Sequence, residues 1–177
     1  MDATNRKPKA SILNFFRRSI PKIAGDPRLV KHGMSLWPPF WGAGIKVREI
    51  SADWRSATVL MRQRPWNMNY VGTHFGGSLF SMTDPFWMMM VLHNVGPGHI
   101  VWDKAAEIRF LKPGHGTLTC RFELEEAQLE ELLKEVADRG KATTWFEVEI
   151  LDEAGGVVAA VRKEVYVRTK NPASDSQ

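Results

Sequence analysis

The 177-residue chain is 44% hydrophobic and 10% aromatic, a composition sufficient for one domain with a substantial core. Its formal charge of +4 comes from Lys and Arg residues scattered along the chain, which argues against a dedicated nucleic-acid-binding arm. Cys120 is the only cysteine, so neither an internal disulfide nor a cysteine metal cluster can form. Because we find no signal-like segment and no apolar run long enough to span a bilayer, we expect a cytoplasmic protein.

Both ends of the chain are polar, and we predict disordered tails at residues 1–10 and 171–177 and a single domain at 11–170. Near the N-terminus, residues 12–23 combine apolar and basic side chains in an amphipathic helical pattern. We predict a short helix that packs on its own domain or on a neighbouring subunit. A segment lying on a membrane surface is the alternative.

Six stretches of the chain have the apolar and polar alternation that is typical of β-strands, and they lie at 45–50, 56–62, 99–111, 116–124, 143–152 and 157–169. The last two are joined by the sequence EAGG, which predicts a hairpin because glycine readily adopts positive φ. The sequence KPGHG separates the third stretch from the fourth and predicts a second link of hairpin size. The four stretches after residue 98 therefore predict an antiparallel sheet.

Two helical patterns interrupt the strands. The first runs from Phe75 to about Val95 and is apolar on nearly all faces, so we expect it to be buried against the sheet. The second lies in residues 125–140 and ends at Gly140 as a C-cap, with a single apolar stripe formed by Leu129, Leu132, Leu133 and Val136. Together with the strands, these patterns predict an α+β fold.

Gly76 and Gly77 stand at the start of the first helix, where backbone N–H groups have no intrahelical acceptor and lie at the positive end of the helix dipole. Such a helix end can bind a carbonyl oxygen and stabilise the oxyanion that forms when the carbonyl is attacked. The glycine pair has an alternative explanation in tight helix packing or an entry turn, since two adjacent glycines alone are a weak signal.

Asp84 lies within the apolar helical pattern, where a carboxylate is costly unless it is paired, hydrogen-bonded or in a wet cleft. It is a candidate functional residue, and it also fits as the cap of a helix that restarts at Pro85. Pro85 should kink the helix and leave the carbonyl of Ser81 free. Gly76 and Asp84 would lie about 12 Å apart along one helix, so a site that uses both predicts a two-fold dimer with antiparallel helices.

These residues resemble a known family. Asn69, the HFGG sequence that begins at His74, Asp84 and the sequence AEIRFLKPGHGTLT are similar to the hotdog-fold superfamily, in particular to acyl-CoA thioesterases of the phenylacetate-pathway type. The resemblance covers about residues 40–168. The helical insertion at 125–141 and the ending VVAAVRKEVYVRT resemble a hotdog branch catalogued as a domain of unknown function. The resemblance implies a hotdog fold, in which an antiparallel β-sheet wraps around a long central apolar helix.

The resemblance also implies roles for individual residues. The Gly76 amide, together with Gly77, would polarise a thioester carbonyl, Asn69 would orient water or the carbonyl, and Asp84 of the opposite subunit would act as general base or nucleophile. Two departures from the family pattern stand out. Phe75 separates His74 from the glycines, and the strand at 99–111 contains no Ser or Thr to supply the hydroxyl that some relatives carry.

Further residues are candidates for contacts with the substrate. We expect His74, Ser78, Arg109 and Lys112 to bind it, the last two through phosphate groups. Arg162, Lys163 and Arg168 on the last strand are further candidates for phosphate contacts, although each basic residue fits a solvated strand charge as well. Methionines and aromatics between residues 80 and 90 suit an apolar acyl pocket or simply a helix core. The histidines have no metal-ligand spacing, so we expect no metal.

The sequence thus predicts a homodimeric or tetrameric thioester hydrolase that acts on acyl-CoA or an acyl carrier, with coenzyme A as part of the substrate and no other cofactor. A non-catalytic protein that binds acyl groups or coenzyme A is the alternative. A hotdog hydratase or dehydratase fits less well, because its acidic residue would fall near Met88, which cannot transfer protons.

Overall fold

The structure is a computed structural model, and it describes residues 25–170. The predicted tails at 1–10 and 171–177 and the amphipathic segment at 12–23 lie outside the described residues. In chain order the elements are α1 Pro27–Leu36, α2 Pro38–Ala43, β1 Ile45–Ile50, β2 Ser56–Arg62, α3 Gly76–Ser81, α4 Phe86–Val95, β3 His99–Phe110, β4 Thr117–Glu123, α5 Glu126–Arg139, β5 Lys141–Leu151 and β6 Val157–Thr169.

The six strands form one antiparallel sheet in the order β1-β2-β4-β5-β6-β3. All six predicted strands are present, with ends within two residues of those predicted. The hairpin between β5 and β6 is confirmed, and Gly155 adopts a φ of +80° in its turn, a conformation that L side chains rarely adopt. Within this sheet β3 is an edge strand, since it pairs with β6 on one side only.

The antiparallel sheet is confirmed, but the KPGHG link of hairpin size does not join neighbouring strands. β3 pairs with β6 over most of its length, whereas β4 lies between β2 and β5, so the KPGHG link crosses from the edge of the sheet to its middle. Hydrogen bonds to other segments hold this link in place, because the carbonyl of Gly114 accepts from the N–H of His74 and that of Gly116 accepts from the N–H of Gln63. Gly and Pro marked a change of direction correctly, but they did not reveal which strand would be the partner.

The long helix predicted from Phe75 to Val95 is divided into α3 and α4 by a turn at residues 82–85. Pro85 lies at the break, as expected for a residue without a backbone N–H. The carbonyl of Ser81 is not free as predicted, because it accepts a hydrogen bond from the N–H of Asp84 at 3.2 Å. The proposed cap is also wrong: the side chain of Asp84 makes no capping hydrogen bond to α4.

The sheet wraps around α4, as the hotdog fold requires. Trp87 stacks on Phe146 of β5 with ring centroids 4.9 Å apart, and Phe86 packs on Phe122 of β4 at 5.0 Å. The predicted stripe of α5 is confirmed: Leu129, Leu132 and Val136 are buried, and Leu133 packs against the core. Burial of these apolar surfaces is the main force that holds helices and sheet together.

Two short helices that the sequence did not predict precede β1. Asp26 caps α1, because its side chain accepts a hydrogen bond from the N–H of Arg28 at 2.8 Å, and Pro27 begins the helix. No residue of α1 is fully buried, but Val30 and Met34 on its apolar side pack against the core. Between residues 25 and 170, no helix is both long and apolar enough to cross a membrane.

Candidate active site

The start of α3 borders a cavity of about 470 Å³ that lies between the loop before α3 and the segment where β3 ends. Asn69, His74 and Gly76 line one side, and Phe110 and Lys112 line the other. The fold thus brings together four of the residues predicted from the sequence, which are Asn69, His74, Gly76 and Lys112. Leu79, Leu111 and Pro113 add apolar walls, so the cavity combines an apolar lining with a helix end.

The glycine pair leaves the helix end open to a ligand. The first hydrogen bond of α3 runs from the N–H of Ser78 to the carbonyl of Phe75 at 2.9 Å, and the N–H groups of Gly76 and Gly77 have no acceptor within residues 25–170. A methyl group on Gly76 would lie 3.0 Å from Cζ of Phe110, and one on Gly77 would overlap the Phe75 ring. A larger residue at position 76 would therefore displace the Phe110 ring that lines the cavity, and one at position 77 would displace the Phe75 ring.

Asn69 supports the turn that leads into the cavity. Its Oδ1 accepts hydrogen bonds from the N–H groups of Val71 and Thr73, and its Nδ2 donates to Oγ1 of Thr73 at 2.8 Å and to the carbonyl of His74 at 3.4 Å. These bonds occupy the donors and acceptors of the amide. In this arrangement Asn69 fixes the backbone at residues 69–74 rather than offering a free polar group to water.

His74 is buried next to the cavity and is held by the link between β3 and β4. Its Nε2 lies 3.0 Å from the carbonyl of Gly116, so Nε2 carries the proton and donates. Burial lowers the pKa of His74; the hydrogen bond to Gly116 opposes that shift, and the nearby His115 adds slightly to it. The ring is therefore neutral at pH 7, and its contact with Gly116 ties the loop before α3 to the start of β4.

The residues predicted to bind phosphate do not converge on one place. Lys112 borders the cavity, but its ammonium pairs with Asp152 at 2.6 Å. Arg109 precedes Phe110 on β3, so its side chain points to the opposite face of the sheet, where it lines a separate cavity with Glu107. Ser78, which was predicted to contact the substrate, is also apart from the cavity beside Gly76: it is buried and lines a third hollow of about 310 Å³ beside Phe75.

The remaining basic candidates on β6 also have partners. Arg162 pairs with Glu107 at 2.8 Å and lies over the ring of Trp145. Arg168 donates to the carbonyl of Thr169 at 3.3 Å. Lys163 is buried within the fold, which makes it a poor contact for a phosphate from solution.

Lys163 instead binds the carboxylate that the sequence singled out. Its ammonium donates to Oδ1 of Asp84 in the turn between α3 and α4, and to Oδ2 of Asp103 on β3 at 2.7 Å. Lys163 is 2% exposed, whereas the side chain of Asp84 is 50% exposed. One oxygen of Asp84 is thus anchored to the sheet while the group as a whole remains accessible to solvent.

Asp103 is the more enclosed of the two carboxyl groups. Its Oδ1 is buried and has no hydrogen-bond partner among residues 25–170. Burial raises the pKa of Asp103, the hydrogen bond and charge of Lys163 oppose that shift, and the nearby Asp84 adds to it. The three side chains form a compact charged cluster beside the edge strand.

Within one chain, Asp84 is not among the residues that line the Gly76 cavity. Gly76 lies beside Phe110 near the end of β3, and Asp84 is connected through Lys163 to Asp103, seven residues earlier on the same strand. The two predicted catalytic elements therefore lie at different positions along the free edge of the sheet.

Sequence reasoning missed the residues that position the site. Lys163 was regarded as a surface cation, although its place among the alternating apolar residues of β6 indicated that it faces the core. Asn67 was not singled out; it is buried and its Nδ2 donates to the carbonyls of Ala43 and Arg62, both at 2.8 Å. No local pattern identified Asp103 or Phe110, since their roles depend on the pairing of β3 with β6.

A protein-family model matches most of the chain. The model described as "Domain of unknown function (DUF4442)" matches residues 26–167, which includes all the helices and strands except the last two residues of β6. A search of curated proteins gave no significant match to the sequence.

Several solved structures share the fold. A Pseudomonas aeruginosa protein of unknown function, described as a probable thioesterase, is 22% identical with a TM-score of 0.71, over 82% of this chain and 99% of its own. A Chlorobaculum tepidum protein of unknown function is 13% identical with a TM-score of 0.64, over 83% and 99%. The PaaI protein of the phenylacetic acid degradation operon of E. coli is 22% identical with a TM-score of 0.55, over 79% and 90%. At these identities the likeness supports the hotdog fold itself.

Proposed function

We propose that this chain, which belongs to the DUF4442 family, is a thioesterase that hydrolyses acyl thioesters of coenzyme A or of an acyl carrier. One observation carries the proposal: two features lie along the same edge of the sheet. The first is the start of α3 at Gly76, whose N–H groups are open to an apolar cavity, and the second is the half-exposed carboxylate of Asp84, which is anchored by Lys163. Solved structures with the same fold bear the name thioesterase, which supports this class of reaction.

A two-fold dimer would bring these two elements together. Among residues 25–170 no strand pairs with the outer edge of β3, so a second copy can add its own β3 there in antiparallel pairing. If that pairing is centred on Glu107, so that Glu107 lies opposite its own copy, the register shift between Asp103 and Ala105 brings Phe110 of one subunit opposite Asp103 of the other. The cavity beside Gly76 would then face Asp84 of the partner subunit, as the sequence-based hypothesis of a shared site requires.

In the proposed reaction the thioester carbonyl oxygen binds at the N–H of Gly76, with support from that of Gly77. Asp84 takes a proton from a water molecule, and the resulting hydroxide bonds to the carbonyl carbon. The tetrahedral intermediate collapses as the C–S bond breaks, and the proton passes from Asp84 to the departing thiolate. Direct attack by Asp84, which would form an anhydride that water then hydrolyses, is the variant of the same chemistry.

A basic groove offers the phosphates of coenzyme A a place to bind. Lys46, Arg48, Arg62 and Arg64 line a hollow of about 260 Å³ at the ends of β1 and β2, and within residues 25–170 none of these side chains has an acidic partner. The groove lies near the loop before α3, because Asn67 connects the two. Its side chain hydrogen-bonds to the backbone carbonyl of Arg62 and the backbone N–H of Arg64, and its own carbonyl accepts from the N–H of Phe75. We include these four cations in the proposed substrate site.

The proposal is tested by measuring thiol release from a panel of acyl-CoA thioesters with short, long and aryl acyl groups. We expect turnover of at least one thioester by the wild-type protein and a loss of about 10²- to 10⁴-fold in Asp84→Asn, the range expected when a general base is removed.

Asp138→Asn is the matched control, because Asp138 lies on the exposed side of α5 and forms no ion pair among the described residues. The control should retain wild-type turnover. Binding of coenzyme A thioesters without turnover of any of them would contradict a thioesterase and favour a non-catalytic binding protein.

A further inference from the structure

The cluster of Asp84, Lys163 and Asp103 contains one buried cation and two carboxyl groups. An ammonium group that is 2% exposed loses nearly all of its hydration, so its position depends on the groups that replace water. Here they are Oδ1 of Asp84, Oδ2 of Asp103 and the face of the Phe80 ring, whose centroid lies 5.6 Å from Nζ.

Other charged groups near the cluster point elsewhere. Glu164 follows Lys163 on β6 and lies on the opposite face of the sheet, where it pairs with Lys104 of β3 at 3.9 Å. Arg162 also points to that face and pairs with Glu107. Across β5, the residue paired with Lys163 is Phe146, and the segment between α3 and α4 contributes only Asp84. The two carboxyl groups therefore share one ammonium without competition from a third ion.

This sharing has two consequences for Asp84. Because Oδ1 is bound to Lys163, Oδ2 is the oxygen left for water or a carbonyl carbon, so the ammonium orients the carboxylate. The charge that Asp84 receives from Lys163 also depends on Asp103. When Asp103 is ionised it competes for the ammonium and repels Asp84, and when it is neutral Asp84 has the ammonium to itself.

We propose that Lys163 and Asp103 are positioning residues for the reaction: Lys163 fixes the orientation of the Asp84 carboxylate, and Asp103 competes with Asp84 for the ammonium of Lys163. This inference rests on the proposed function for its link to turnover, but the coupling itself is a property of the three side chains. It predicts that two substitutions in the same cluster change the titration of Asp84 in opposite directions.

The test compares the pH dependence of kcat/KM for Lys163→Met and Asp103→Asn with that of the wild type. Loss of the ammonium leaves two carboxylates side by side, so Lys163→Met moves the acidic limb upward by about one pH unit or more. In Asp103→Asn no second carboxylate competes for the Lys163 ammonium, so we expect the acidic limb of the kcat/KM profile to move to lower pH. Lys163→Arg keeps the charge and should return the limb toward its wild-type position.

A second measurement does not depend on turnover. The carboxyl carbon of Asp84, assigned by its loss in Asp84→Asn, is titrated by carbon-13 NMR in the wild type and in the same variants. Opposite shifts support the coupling even if the wild type hydrolyses no thioester, in which case only the proposed function fails. Unchanged titration in both folded variants, or shifts in the same direction, would overturn the inference and leave Lys163 with a purely structural role.

Discussion

The ammonium of Lys163 lies inside the fold and donates to the carboxylate of Asp84, which remains half exposed. A cation on β6 thus holds the turn that separates α3 from α4. The contact explains how a carboxylate is accommodated within an otherwise apolar helical region, since its charge is paired on one side and hydrated on the other. It also gives Asp84 a fixed orientation near the edge strand β3, as the proposed shared site requires.

The stability of the protein should depend on pH through Asp103. Because its folded-state pKa is raised above the ordinary value of 3.8, the native state binds the proton more tightly than the unfolded state does. The stability that this proton contributes is complete below about pH 3.8 and is lost as pH rises through the folded-state pKa. We therefore expect Asp103→Asn to gain in free energy of unfolding, relative to wild type, as pH rises from 4 to 7.

Urea denaturation across that pH range measures this difference, and Asp138→Asn provides the control for removal of one carboxyl group. A difference between wild type and Asp103→Asn that stays constant with pH would show that Asp103 titrates normally in the folded protein.

The buried His74 should have the opposite effect on pH dependence. Its folded-state pKa lies below the ordinary value of 6.5, so the unfolded state binds the proton more readily. The stability contributed by the neutral ring is present above about pH 6.5 and is lost as pH falls through the folded-state pKa. We expect wild type to lose more free energy of unfolding between pH 7 and pH 5 than His74→Gln does.

His93 also has its pKa lowered by burial, but it is present in both proteins and cancels in the comparison. Equal losses in wild type and His74→Gln, measured by urea denaturation at each pH, would contradict the assignment of His74 as a buried neutral ring.

The basic groove predicts a preference for substrates that contain phosphate. The double substitution Arg62→Glu and Arg64→Glu should raise KM for a coenzyme A thioester by about tenfold or more, equivalent to about 1.4 kcal/mol. It should leave KM for the corresponding N-acetylcysteamine thioester unchanged, because that substrate lacks phosphates. Steady-state kinetics with both substrates separates the two effects.

Lys134→Glu is the charge control, since Lys134 is an exposed cation on α5 away from the groove. An equal rise in KM for both substrates, or for the control variant, would show that the groove does not bind the nucleotide part of the substrate.

The sequence predicted most of the fold because its signals were local. Alternation defined all six strands, and the stripe that includes Leu132 and ends at Gly140 defined α5. The order of the strands could not be predicted from local signals. It depends on the pairing of β3 with β6, which lies far along the chain, and that pairing makes the KPGHG link cross the sheet. The division of the central helix was predicted only as a kink at Pro85.

The candidate site residues that the sequence could suggest are those with a local signal. Gly76 and Asp84 stand out in the sequence because a glycine pair and a carboxylate are unusual in an apolar helical pattern. Lys163 lies 79 residues from Asp84 along the chain, and the two meet only because β6 passes beneath the turn. Asn69 lines the cavity, and its side-chain hydrogen bonds are made to its own turn.

The shared site is tested most directly by mixing two inactive variants. Asp84→Asn lacks the carboxylate, and Gly76→Val fills the approach to the helix end beside Phe110. After unfolding and refolding of an equal mixture, about half of the dimers contain one chain of each kind, and each of those has one intact site. We predict recovery of about one quarter of wild-type thioesterase activity from two variants that are inactive alone. No recovery in a mixture shown to contain mixed dimers would contradict a site formed by Gly76 of one subunit and Asp84 of the other.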